Sequence, residues 1–277
     1  MWTQAQIDYA AALIGRIDSG ERSIFLESVN TEAQVEAKLF PGGVFYGGTA
    51  YKGLRIHIVF ETDTGAFNEE LAALVRGALK KTGKTSCAIW LWNGNRKIIE
   101  HLKEAFHINT KRDYASIEFI MRRENFRPVI DNTLEIRPYE KKRLFAYLSM
   151  LDHSMTFADP GPTYRRDFFR HRKRFAELMK NDAFYFEAFW KDGALVGLYW
   201  LKNAEVDTLA VAAGQQRKGY GTIILTRALE MAFQHTDKEY AYLYAVDWNA
   251  KGQSFYKKYG MEQSGHCYLL RIENWKE

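Results

Sequence analysis

Two carboxylates and a glycine-bearing turn carry most of the chemistry legible in this chain of 277 residues. Glu205 and Asp207 stand two apart in a stretch whose Val206, Leu209, Ala210 and Val211 read as an apolar strand, so both acids project from one face. Such a pair can accept protons. Gly219 and Gly221 come just before Thr222, and Ile224, Leu225, Ala228, Leu229 and Ala232 then recur at helical spacing. The first N–H groups of a helix lack intrahelical partners, and small residues at 219 and 221 let backbone donors approach a bulky oxyanion. Charge-assisted hydrogen bonds contribute roughly 1.5–3 kcal/mol each and the helix dipole about 0.3–1 kcal/mol, so three or four donors could hold a diphosphate. Alone, two glycines before a helix are a weak signal, because such turns also cap or pack.

The signal has further parts. The order Gln216-Arg217-Lys218-Gly219-Tyr220-Gly221, followed by Thr222 and an apolar helix, resembles the acyl-CoA pyrophosphate loop (Gln/Arg-x-x-Gly-x-Gly/Ala) of the GNAT superfamily of N-acetyltransferases. Residues 243–249 look like the next strand of that fold. Phe255-Tyr256, followed by Gly260-Met261, resembles its Phe-Tyr-x-x-x-Gly-Phe helix end. The resemblance covers residues 132–277. It implies an α/β fold of the α+β type, with a mixed, mostly antiparallel central sheet flanked by helices. It also implies acetyl-CoA as co-substrate, its diphosphate on residues 216–222 and its thioester beside the backbone of Leu209, Ala210 and Val211. Asn249 resembles the side chain that meets the pantetheine or phosphate arm, although a helix cap is an equal reading.

The reaction implied is direct transfer of an acetyl group to a primary amine within a ternary complex. An amine with a pKa of about 10.4 is almost wholly protonated at neutral pH, so a base is needed. Glu205 is the first candidate, because the resemblance places it where one branch of the superfamily carries a catalytic glutamate. Asp207 is the second. Either could act through water, a bulge in the strand could change which one faces the thioester, and both could be merely solvated edge acids. Tyr256 matches the family tyrosine that protonates the departing thiolate, and it could instead be a core aromatic beside Phe255 and Tyr259.

Elements that would position these groups follow from patterning. Helices are expected at 3–17, from a capping box at 31–34, at 69–80 and through 98–106, with strands at 44–50, 54–60, 87–92 and 115–121. Residues 125–132 read as a linker. A strand at 134–138, a helix through Leu144 and Leu148, a loop at 159–162 and a basic helix at 165–174 come next. A hairpin of 183–190 and 194–201 then closes on Asp192-Gly193. The two halves share an element order, and the turn at 61–65 lacks paired glycines and offers an acid to any anion. The expectation is a tandem: 1–127 a degenerate GNAT-like domain without a coenzyme loop, and 128–277 the acetyltransferase domain.

Composition narrows the class. With 47% hydrophobic and 26% charged residues the chain is globular, and it has no apolar run long enough to span a membrane. Met1-Trp2-Thr3-Gln4 does not open like a secretory leader, and a cytoplasmic location is expected. Cys87 and Cys267 sit in strand-like segments without C-x-x-C or histidine partners, which argues for buried thiols and against a metal. The net charge of +5 is mild. The basic stretch at 165–174 reads as a solvated helix face, or as a surface for acidic ligands, and no motif points to nucleic acid. A small molecule or amino acid is the expected acceptor, with a protein amine as alternative. A non-catalytic acyl-CoA-binding or interaction module is the other class, and a monomer or homodimer fits either.

Overall fold

The computed structural model describes residues 1–50, 53–108, 114–128, 133–154, 172–180 and 184–276. Contacts divide the chain into two compact units, 1–118 with 264–277, and 119–263. Each is a mixed sheet flanked by helices. The pattern-based break near 128 leaves the C-terminal strand with the second half. In the fold this strand packs in the first unit, through a pairing with residues 87–92 that local patterning does not carry.

The first unit opens with α1 (Gln4–Ile17), where Thr3 and Gln6 form a reciprocal capping box. Next is α2 (Ser19–Thr31), whose N-terminus is capped by Asp18: its Oδ1 accepts the Glu21 N–H at 3.0 Å. Thr31 therefore ends a helix, where the sequence suggested that it starts one. The residues after it form a strand, β1 (Ala33–Phe40), because Val35, Ala37 and Leu39 alternate with polar neighbours. β2 (Gly43–Ala50) and β3 (Gly53–Phe60) continue the antiparallel run, α3 (Asn68–Thr82) crosses over, and β4 (Cys87–Trp92) returns parallel to β3. After α4 (Arg96–Ala105), β5 (Tyr114–Arg122) passes from the first unit into the second. The core between sheet and helices gathers Ile56, Ile58, Leu71, Val75, Ile89, Leu91 and Leu102.

The second unit holds β6 (Glu135–Pro138), α5 (Leu144–Ser154), α6 (Arg172–Leu178), β7 (Phe184–Lys191), β8 (Ala194–Lys202) and β9 (Glu205–Val211). β6 to β9 are antiparallel neighbours. α7 (Tyr220–His235) leads to β10 (Tyr240–Val246), parallel to β9, and α8 (Ala250–Tyr259) precedes β11 (Glu262–Ile272), the strand that joins the first unit. Of the expected basic helix, α6 begins at Arg172; 165–171, like the loop at 159–162, lies outside the described residues.

Two core faces flank this sheet. Tyr147, Leu148 and Leu151 of α5 and Phe175 of α6 pack on Phe186, Leu198, Trp200 and Ala210. On the α7 side, Glu187 is 5% exposed and accepts both Arg227 Nε and Nη2 (2.9 and 3.0 Å) and the phenols of Tyr185 and Tyr199 (both 2.6 Å). Burial alone would raise its pKa. The guanidinium and two phenols outweigh that and hold it below the usual carboxylate value. This fully satisfied cluster fastens α7, and so the turn before it, to β7 and β8.

Candidate functional site

β9, the turn after it and the start of α7 assemble the site. Along β8–β9 the register runs Gly197↔Val211, Leu198↔Ala210, Tyr199↔Leu209 and Trp200↔Thr208, then Leu201↔Val206, which leaves Asp207 as an extra, bulged residue. Ala212 N–H donates to Val196 C=O at 2.8 Å. Because backbone groups alternate along a strand, Ala210 also points toward β8, whereas Leu209 and Val211 point the other way.

That other side is open. Among the described residues, β9 and β10 pair at the single register position Glu205↔Tyr242, with Tyr242 N–H donating to Ala204 C=O at 3.1 Å. In the first unit the corresponding parallel pair, β3 and β4, is closed from Leu54↔Cys87 to Ile58↔Leu91. The contrast continues at the strand ends. Asn95 is fully buried, and its side-chain amide bridges Phe60, accepting from N–H and donating to C=O, both at 3.0 Å. Asn249 holds the matching place before α8 with nearly the same backbone angles, yet its Oδ1 accepts Gly252 N–H at 3.0 Å instead. The predicted ligand residue Asn249 is thus a helix cap, and the amides of Leu209 and Val211 keep their opening.

The turn suits an anion for reasons of conformation. Gly219 adopts φ +86°, a left-handed geometry, and a Cβ there would meet nothing within 4 Å. Arg217 also has positive φ, +65°. Gln216 Nε2 donates to Val211 C=O at 3.2 Å, which folds the turn back on the strand end, and Lys218 Nζ reaches Gln215 Oε1 at 3.0 Å. No described residue accepts from the backbone N–H groups of Arg217, Lys218, Gly219, Tyr220 or Gly221, and residues 216–219 are exposed. Thr222 N–H differs: it donates to Gly219 C=O at 3.0 Å. At Gly221 an added Cβ would lie 3.4 Å from Phe255 and 3.8 Å from Val211, ordinary contact distances, so packing there does not demand a glycine.

Three side chains singled out by the sequence have defined surroundings. Asp207 is exposed; its Oδ2 accepts the Trp200 indole N–H at 2.6 Å and the Thr208 hydroxyl at 3.2 Å. Glu205 stands at the closed end of the β9–β10 pair, with Lys202 opposite it on β8. Tyr256 is half-buried on α8, its ring 5.6 Å from Phe119 and 5.3 Å from Phe255, and burial pushes its pKa up to about 12. It therefore keeps its proton at neutral pH. Gly260, φ +98°, ends α8 in the expected left-handed turn, and Tyr259 ties α8 to Thr226 of α7 at 2.7 Å. Sequence reasoning missed Trp200 and Gln253, whose Nε2 holds the Asp247 C=O at 2.7 Å. Neither lies in a motif. Among the described residues no helix is long and apolar enough to cross a membrane, and both cysteines are buried free thiols.

Comparison with known proteins bears on the fold. Residues 147–261 match the model of the acetyltransferase (GNAT) family. No curated protein matches the sequence. Among solved structures, a functionally unknown conserved protein from Staphylococcus epidermidis is similar at 13% identity and TM-score 0.59, over 89% of this chain and 97% of that one. A GCN5-related N-acetyltransferase from Kribbella flavida is similar at 14% and 0.54, over 90% and 93%. A tandem GNAT protein from the clavulanic acid biosynthesis pathway is similar at 10% and 0.50, over 85% and 80%. At these identities the likeness is one of fold, and it spans both units.

Proposed function

We propose, from the premise that residues 147–261 form a GNAT acetyltransferase domain, that the chain moves an acetyl group from acetyl-CoA to a primary amine, by direct transfer with both substrates bound. The observation that carries this reading is the set of backbone N–H groups at 217–221 with no acceptor among the described residues, next to a strand whose outward amides open, among those residues, into an unpaired gap. The residues fit the coenzyme: main-chain donors at a helix start suit its diphosphate, with the exposed cations of Arg217 and Lys218 beside them. When bound, acetyl-CoA supplies an activated acyl group.

The chain's own residues do the rest. The N–H groups of Leu209 and Val211 donate into the gap, where a carbonyl or amide of the ligand can accept. A carboxylate of β9 removes the proton that masks the amine, directly or through water. Tyr256, holding its proton at neutral pH, supplies one to the departing sulfur. A small molecule or amino acid is the preferred acceptor. Coenzyme binding is assigned to the second half alone, because the equivalent gap in the first unit is paired shut and sealed by Asn95.

Calorimetric titration with acetyl-CoA, followed by a free-thiol assay across a panel of amines, tests the reading. One acetyl-CoA per chain and thiol release with at least one amine are expected. Two per chain would contradict the assignment to one half. Tight binding without turnover would favour the non-catalytic module, and no binding would refute both.

A further inference from the structure

Trp200 sits in the aromatic core on the α5 side, 4% exposed and 5.3 Å from the Phe175 ring. Its indole N–H leaves that core to meet Asp207 Oδ2 at 2.6 Å. The bulge makes this possible: one extra residue between Val206 and Thr208 takes Asp207 out of the ladder while Thr208 stays opposite Trp200. Thr208 Oγ1 adds a second donor to the same oxygen at 3.2 Å. Oδ1 accepts no hydrogen bond from any described residue. The carboxylate is thus held at one oxygen by two neutral donors and presents the other.

Position along the strand separates the two acids. Glu205 is level with Tyr242, where β9 and β10 are still paired, and faces Lys202 across β8–β9. Asp207 lies beyond that pairing, nearer in sequence to Leu209 and Val211, whose amides open into the gap. Neutral donors anchor a carboxylate without neutralising it.

We infer that Asp207 is the carboxylate that serves the acceptor amine, and that Trp200 is its positioning residue, fixing the Oδ1 lone pairs through the bond to Oδ2. This rests on the transferase reading given above. Asp207 Oδ1 takes one proton from the bound ammonium, directly or by way of one water. The freed amine bonds to the acetyl carbon as the C–S bond breaks, the sulfur takes a proton from Tyr256, and the second proton that leaves the nitrogen restores the Tyr256 phenol, directly or through water.

The test uses the full chain, with acetyl-CoA and whichever amine of the panel the wild type acetylates. Asp207→Asn is expected to lower kcat about 10²-fold or more, within the range of general acid–base catalysis, with acetyl-CoA affinity unchanged. Trp200→Phe is expected to lower kcat about tenfold with the KM for acetyl-CoA unchanged, and Trp200→Phe/Asp207→Asn to be no slower than Asp207→Asn alone, since the two act as a unit. A second readout needs no turnover. In the ¹⁵N-labelled chain with its seven tryptophans, one indole N–H signal should move in Asp207→Asn and be the signal missing from Trp200→Phe. Full activity of Asp207→Asn, multiplicative losses in the double variant, or no displaced indole signal would each overturn the proposal. A wild type that binds acetyl-CoA but turns over no amine would instead sink the transferase reading beneath it.

Discussion

Gly219→Ala isolates the backbone contribution of the turn. Gly219 stands at φ +86°, ψ −15°, just before α7, and an added Cβ would touch nothing within 4 Å. Steric clash is therefore absent, and the cost is that of holding an L-residue in a left-handed conformation, about 1–2 kcal/mol. Residues 216–219 are exposed, so the turn can relax without disturbing the core, and the relaxed form no longer aims its N–H groups together. A penalty of 1–2 kcal/mol leaves about 3–20% of molecules in the binding geometry, which weakens the acetyl-CoA Kd about 5- to 30-fold. Gly214→Ala is the matched control, since Gly214 also faces open space but lacks a positive φ. Calorimetric titration of both variants, with melting temperatures taken alongside, reads the effect. A Kd for Gly219→Ala within twofold of wild type, or an equal loss in Gly214→Ala, would refute the argument that main-chain geometry at 219 makes the anion site.

Three further perturbations separate chemistry from stability. Tyr256→Phe removes only a hydroxyl that no described residue binds, so kcat should fall about 10²-fold while the acetyl-CoA Kd stays within about twofold; retained turnover would remove Tyr256 from proton transfer. Asn95→Ala strands the N–H and C=O of Phe60 inside the first unit, at about 1–3 kcal/mol per group; a clear drop in melting temperature with unchanged coenzyme stoichiometry is expected, and an unchanged melt would contradict the seal. Glu21 is 1% exposed, and burial first, then the nearby Asp18 charge, outweigh its contact with the Cys267 thiol and raise its pKa well above the usual value. Its folded pKa exceeds the unfolded one, so its contribution is fully present below about pH 4 and is lost as pH climbs toward the folded value. Glu21→Gln should therefore melt progressively higher than wild type from pH 5 to 8. Parallel melting curves would show that the group does not titrate on unfolding.

Local features of this protein were legible from residue order. Helical spacing through Ile224 to Ala232, the glycines of the turn, the hairpin at Asp192-Gly193 and the stop at Gly260 each act within a few residues, where propensity and backbone freedom decide. Even there, one element was read in the wrong direction: Thr31 ends a helix because Asp18, thirteen residues earlier in the chain, had already capped it. What only tertiary structure decided is pairing over distance. That the C-terminal strand packs beside β4, that β9 parts from β10 after Glu205 while β3 and β4 stay closed, and that Trp200 holds the bulged Asp207 all depend on register between separate strands. Register is set by which whole face each strand buries, and a shift of one residue reverses every side chain. No short motif can encode it.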